Sequence, residues 1–351
     1  MDIRLVFGII LGICIIWIWH CRRLISYGIW LFKRYFWITW EGKEFNSTAG
    51  LKTPVGGKQI SSALDLSGCT ALEDLFCYGD RLRLLDVSGC TALKRLNCAS
   101  NNLTELDVSG CTALEDLFCD RTKLVELNVR SNTALECLDC ENNNLTELDV
   151  TNNAALESLY CASSNLTTLD VSNNTALKSL VCGFNSLITL DVSSNTVLEK
   201  LSCSDNNLTE LDVSSNTALT RLECSSNNLS TLDVSNNTAL MALWCSGNNL
   251  TTLDVSNNTA LEELSCYNNN LTELDLSNNT KLPIDHIYTE GKGYIGYFYQ
   301  YSDSKLYAVP QDGERFLGWY NEDGELLSTD AEWDIADRTE KVFIAKFTNK
   351  K

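Results

Sequence analysis

LTRLECSSNNLSTLDVSNNTAL, residues 219–240, decides the architecture of this chain. As a pattern it reads LxxLxCxxNxLxxLDVSNNTxL, with apolar residues at Leu219, Leu222, Cys224, Leu229, Leu232, Val234 and Leu240. The same pattern returns in steps of 21 residues, and one cysteine marks each return: Cys77, Cys98, Cys119, Cys140, Cys161, Cys182, Cys203, Cys224, Cys245 and Cys266. A period this strict is the signature of a stack of like units. No single unit can bury its inward row alone, so stacking must close the core.

Within one unit, Leu222-Glu223-Cys224 alternates in, out, in, and reads as a short strand. An asparagine row at Asn101, Asn143, Asn185, Asn206, Asn227, Asn248 and Asn269 marks the turn after it, where amides can satisfy backbone groups of a neighbouring coil. A second row runs through Asn132, Asn153, Asn174, Asn195, Asn216, Asn237, Asn258 and Asn279, with Cys69, Cys90 and Cys111 in its place in the first coils. This is the leucine-rich repeat pattern LxxLxLxxNxL, with cysteine at one leucine place. Twenty-one residues leave no room for a long helix. The expected fold is a leucine-rich repeat solenoid of parallel β-strands with about ten units over residues 64–282, roughly 50 Å long at one strand spacing per coil. Disulfides are not expected along the ladder: in-register side chains point the same way, a poor geometry for bridging. The ten thiols read as small buried hydrophobes.

Charge separates the chain into regions. Residues 64–282 hold 30 acidic against 11 basic side chains, residues 1–63 hold 3 against 8, and residues 283–351 hold 13 against 8. An acidic solenoid repels phosphate backbones, so nucleic acid is excluded as a partner. Residues 1–40 are apolar and aromatic. Leu5–Trp19 carries no charge, and Trp30, Trp37, Trp40, Tyr27 and Tyr35 follow, mixed with Lys33 and Arg34. This is expected to associate with a membrane. Residues 41–63 are a linker and N-terminal cap. Residues 283–351 lose the 21-residue register, gather aromatics between Gly-containing turns, and are expected to form a small β-rich domain over the last coil.

The repeats resemble those of the internalins, bacterial surface proteins, and in particular an internalin type with 21-residue repeats and a cysteine ladder. Period, LxCxxNxL and LDVSxNT all match over residues 64–282. The resemblance implies a curved right-handed solenoid with strands on the concave face, and a role in attachment to host or matrix ligands. The stretch from Gly313 to Phe347 resembles the divergent B-repeat of internalins through Phe316, Gly318-Trp319, Ser328-Thr329-Asp330 and Ala345-Lys346-Phe347. No LPxTG sorting motif is found, so anchoring is expected at the N-terminus, on the bacterial cell surface or envelope.

Outward strand positions vary while the frame is constant. Phe76, Tyr78, Phe118, Tyr160, Trp244 and Tyr267 stand there, and exposed aromatics in a row are the expected ligand anchors on the concave face. The regular aspartates, Asp65 to Asp275 with Asn128 interrupting, are expected to be solvated by their own Ser and backbone N–H groups, with bridging calcium the competing reading. Only His20 and His286 exist, and no phosphate loop, HExxH or GxSxG occurs. The chain is expected to be non-catalytic, without cofactor or metal, binding a protein or glycan ligand. The competing reading is a membrane-tethered spacer or assembly scaffold with no discrete ligand.

Overall fold

The computed structural model describes residues 62–300, 303–336 and 339–349. These belong to one compact unit. The membrane-associated segment expected at residues 1–40, and nearly all of the linker and cap at 41–63, lie outside the described residues. No helix forms among the described residues, and none there could cross a membrane.

Ten three-residue strands repeat every 21 residues, from Asp74–Phe76 through Arg221–Glu223 to Glu263–Ser265. They pair in parallel and in register, so that Leu222 lies between Leu201 and Leu243. The strand lies one residue earlier than the sequence reading placed it. Cys224 still extends the ladder, donating its N–H to the Trp244 carbonyl at 2.8 Å. All seven apolar positions of the 219–240 unit are buried, and the core runs unbroken through every coil. All ten ladder cysteines are buried thiols.

Two asparagine rows tie the corners. Asn227 donates from Nδ2 to the carbonyls of Cys203 (3.1 Å) and Cys224 (3.2 Å), and its Oδ1 accepts the Leu208 N–H at 3.0 Å. One side chain thus satisfies three backbone groups on two coils. Asn237, in the second row, donates to the carbonyls of Val213 (3.0 Å) and Asn216 (2.9 Å) on the coil before it. Where cysteine replaces this asparagine, the thiol makes the same kind of bond: Cys90 Sγ lies 3.4 Å from the Leu66 carbonyl and Cys111 Sγ 3.4 Å from that of Val87.

After each strand the chain must leave the sheet sharply. One residue per coil, every 21 residues from Ser100 to Asn268, is held at φ between +52° and +66°, and only Gly247 among them is glycine. Phe184 is the costliest of these, because a bulky side chain is disfavoured in the left-handed region. Its ring is 61% exposed.

The C-terminal residues continue the stack. The hairpin of Gly293–Gln300 and Asp303–Pro310 joins the last coil antiparallel, Ser265 opposite Phe298, and Glu332–Asp334 completes a thirteen-stranded sheet. On the neighbouring side of the last coil, Glu273–Asp275 pairs with His286–Glu290. That strand leads into a five-stranded sheet with Val342–Asn349, Glu314–Tyr320 and Leu326–Ser328. The final ladder groups are therefore paired rather than left as an open edge. Tyr297, Trp319, Trp333 and Phe343 fill the core here, with Trp319 Nε1 donating to the Asp330 carbonyl at 3.0 Å.

The first asparagine row has two gaps. Thr122 fills one, donating to the Cys119 carbonyl at 2.9 Å. Ser164 fills the other, but its Oγ is buried without a hydrogen-bond partner. An asparagine at this site, by analogy with Asn227, reaches the carbonyls of Cys140 and Cys161 and the N–H of Leu145. Ser164→Asn is predicted to stabilise the protein by about 1–2 kcal/mol, and thermal melting checks this; a lower melting temperature contradicts the role given to the row.

Candidate binding face

The candidate site is the outward face of the thirteen-stranded sheet. In each coil, the residues before and after the buried leucine, and the one after the cysteine, point away from the core. Crowding does not leave all of them open. Asp139 is only 2% exposed, Asp120 3%, and Ala99, Ala162, Ser246 and Ser265 are buried as well. The outward positions are therefore not uniformly open to solvent.

The six predicted anchors lie on this face but in separate places. Phe76 and Tyr78 are exposed in the first coil, Phe76 at 59%. Phe118 and Tyr160 are half-buried two and four coils on, with Asp139 between them in the same row. Trp244 and Tyr267 stand at the far end. Eight strand spacings, roughly 38 Å, separate Phe76 from Trp244, so one small ligand cannot touch all six.

Polar groups dress the face. Arg95 makes a two-pronged pair with Asp74 at 2.6 and 2.9 Å. Burial, and the neighbouring carboxylates against the opposing pull of Arg95, raise the Asp116 carboxyl above its ordinary range. Arg221 lies over the Trp244 ring, 5.0 Å from its centroid, and reaches Glu223 (3.5 Å) and Glu263 (3.8 Å). Burial pushes the Glu263 carboxyl up, while Arg221 and the Gln300 side chain act against that. Tyr267 does not stand alone: it stacks on Tyr307 at 4.9 Å and meets Phe298 edge-on at 6.4 Å. Phe298 and Tyr307 are functional candidates that the sequence reading missed, having taken the C-terminal aromatics only as part of a small β-rich domain. The signal was present in the strand alternation: Tyr297 and Tyr299 point in, Phe298 points out.

The aspartate row lies away from this face and is satisfied locally. Asp170 Oδ1, for example, accepts the N–H (2.9 Å) and hydroxyl (2.6 Å) of Ser172. These bonds hold the Asp170 carboxyl below its ordinary range. Asp149 is held down to about 2 by the same kind of bonds from Thr151, with Arg130 adding to them. Among the described residues, no three or more His, Cys, Asp or Glu side chains are placed to hold a metal ion.

The family model described as "Leucine Rich repeat" matches residues 99–117, 141–157 and 267–281. With the parallel strands, buried leucines and asparagine corners already described, this match identifies the fold. The chain forms a leucine-rich repeat solenoid. Solved structures of similar fold include an internalin, InlF, of Listeria monocytogenes, at 23% identity and a TM-score of 0.58, covering 61% of this chain and 66% of that one. Another is the ectodomain of the Arabidopsis thaliana receptor kinase GASSHO1/SCHENGEN3, described in complex with CASPARIAN STRIP INTEGRITY FACTOR 2. It is 23% identical with a TM-score of 0.52, covering 60% of this chain and 30% of that one. The functional domain of InlJ of Listeria monocytogenes, described as including a cysteine ladder, is 26% identical with a TM-score of 0.46, covering 80% of this chain and 91% of that one. No curated protein sequence matches significantly.

The electrostatics of this leucine-rich repeat solenoid can be tested at its thiols and at its aspartates. Burial pushes the thiols of Cys182 and Cys266 up to about 12, and that of Cys111 to about 11. The thiolate is the nucleophile, so the ladder cysteines should resist iodoacetamide at pH 8 until the protein unfolds. Mass spectrometry checks each site, and alkylated Cys182 in native protein contradicts the buried ladder. Asp149 is a depressed carboxylate, so its stabilisation is present above the ordinary value of 3.8 and lost as pH falls through about 2. The stability deficit of Asp149→Asn should therefore shrink between pH 4 and pH 2, as measured by denaturant melts across that range.

Proposed function

We propose that the chain is a non-catalytic binding protein that presents the outward face of its strands to a protein ligand at a bacterial surface. The observation that carries this reading is the contrast between rows. Inward positions repeat leucine and cysteine through ten coils, while outward positions change from coil to coil and include Phe76, Tyr78, Phe118, Tyr160, Trp244 and Tyr267. Packing demands the first row and places no such demand on the second. Partly exposed aromatics with an arginine among them are the side chains that most often dominate protein interfaces. A plant ectodomain of similar fold is described in complex with CASPARIAN STRIP INTEGRITY FACTOR 2, so the fold supports a binding role. The uncharged stretch Leu5–Trp19 would supply attachment to the membrane, and the resemblance of Gly313–Phe347 to a B-repeat fits surface display.

Full-length protein, screened against candidate surface proteins and compared with its Tyr160→Ala and Trp244→Ala variants, tests the reading. Truncating a true anchor should weaken binding about tenfold or more. Unchanged affinity in both variants removes these anchors, and a chain that binds no partner favours the spacer.

A further inference from the structure

The outward face does not stop at the last coil. Ser265 lies opposite Phe298, Phe298 opposite Lys305, and Lys305 opposite Asp334, so the row that holds Trp244 runs on into the hairpin and the strand beyond it. Beside this row, Gly296 presents bare backbone to Tyr267. A Cβ there would fall 2.5 Å from the Tyr267 Cα. Without it, Tyr267 settles against the hairpin and stacks on Tyr307. Ser246 and Ser265, their hydroxyls 2.6 Å apart, keep the surface low between Trp244 and Tyr267. Four half-buried rings result: Trp244 and Tyr267 from the solenoid, Phe298 and Tyr307 from the hairpin.

The charge around these rings is one-sided. Among the described residues, Glu223, Glu263, Asp303, Glu332 and Asp334 stand on this face together with the cations Arg221 and Lys305. Arg221 already spans Glu223 and Glu263, and Lys305 lies 2.6 Å from Glu332. Aromatic faces attract cations through their quadrupole, and the molecule demonstrates it with Arg221 over Trp244. An acidic rim around an aromatic floor is complementary to an arginine or lysine flanked by apolar groups, and it disfavours an acidic segment.

We propose that this shelf, half solenoid and half hairpin, seats an arginine- or lysine-bearing segment of a partner protein. The proposal rests on the strand-face reading above. It adds the chemistry of the partner and gives the C-terminal hairpin a direct part in binding, alongside its closure of the last coil.

The test is calorimetric titration of the full-length protein with a synthetic peptide of alternating arginine and leucine, and with one of alternating glutamate and leucine as control. The cationic peptide should bind and the anionic one should not. Phe298→Ala or Tyr307→Ala should weaken binding about tenfold without altering the net charge. Asp334→Lys, at an exposed position that leaves the rings untouched, should also weaken it if the fold of either alanine variant is impaired. Failure of the cationic peptide to bind, or equal binding of both peptides, overturns the proposal. Loss of binding in Phe118→Ala and Tyr160→Ala, with the shelf variants unaffected, overturns it while leaving the strand-face reading intact. Binding that survives all the ring substitutions but falls in an Asp191→Asn, Asp212→Asn, Asp233→Asn variant marks diffuse attraction to the acidic solenoid, and both readings then fail for this probe.

Discussion

A coil of 21 residues makes its backbone bonds to the next coil along the short strand and at a few flanking positions, and the fold depends on how the remaining buried backbone groups are satisfied. A buried carbonyl or N–H without a partner costs about 1–3 kcal/mol, and a stack repeats any such cost at every coil. Asparagine meets the demand because one amide carries both donors and an acceptor. Asn227 uses all of them, to two carbonyls and one N–H. The second row is less complete. Asn237 spends its donors on Val213 and Asn216, but its Oδ1 is buried without a partner. A donor alone is what that corner requires, which explains why the thiols of Cys90 and Cys111 can stand in for the amide there.

The acidic surface is tolerated for a related reason. Aspartates one coil apart repel, by roughly 1 kcal/mol per pair in a water-like dielectric. Each closes its own turn by accepting the N–H of the residue two places on, as Asp233 does from Ser235 at 2.9 Å. The local bond offsets the repulsion within each coil, so no bridging cation is required to explain the row. The remaining negative potential is free to act at a distance, where it selects among partners by charge.

The C-terminal residues answer the problem of the last coil in two directions at once. Antiparallel pairing of Gly293–Gln300 with Glu263–Ser265 extends one side, and His286–Glu290 with Glu273–Asp275 extends the adjoining side. Extending a sheet also extends its outward face. The aromatic residues of the hairpin consequently fall into two classes by strand parity. Tyr297 is core, whereas Phe298 joins the surface that Trp244 begins.

The repeat made much of this legible in advance. Strict spacing located Cys77 to Cys266 in one buried column, Leu222 and its equivalents beside them, and the asparagines at the corners, because each position is fixed by the same contacts in every coil. The turn conformation escaped the reading: Ser100, Arg121 and Phe184 share φ near +55° although their side chains have nothing in common. The corner geometry, not the residue type, imposes it. The candidate site escaped in part as well. Trp244 and Tyr267 were visible as variable outward positions, but Phe298 and Tyr307 belong to no repeat, and their register against Ser265 and Gly296 depends on how the hairpin docks. Periodicity alone therefore settles the stack: its core, its corners and the direction in which each coil's side chains point, since a local pattern repeated so often leaves one solution. Which aromatics become neighbours was decided by tertiary pairing. Cross-strand contacts bring together residues 40 positions apart, as with Tyr267 and Tyr307, and no spacing in the chain encodes a contact made where the repeat ends.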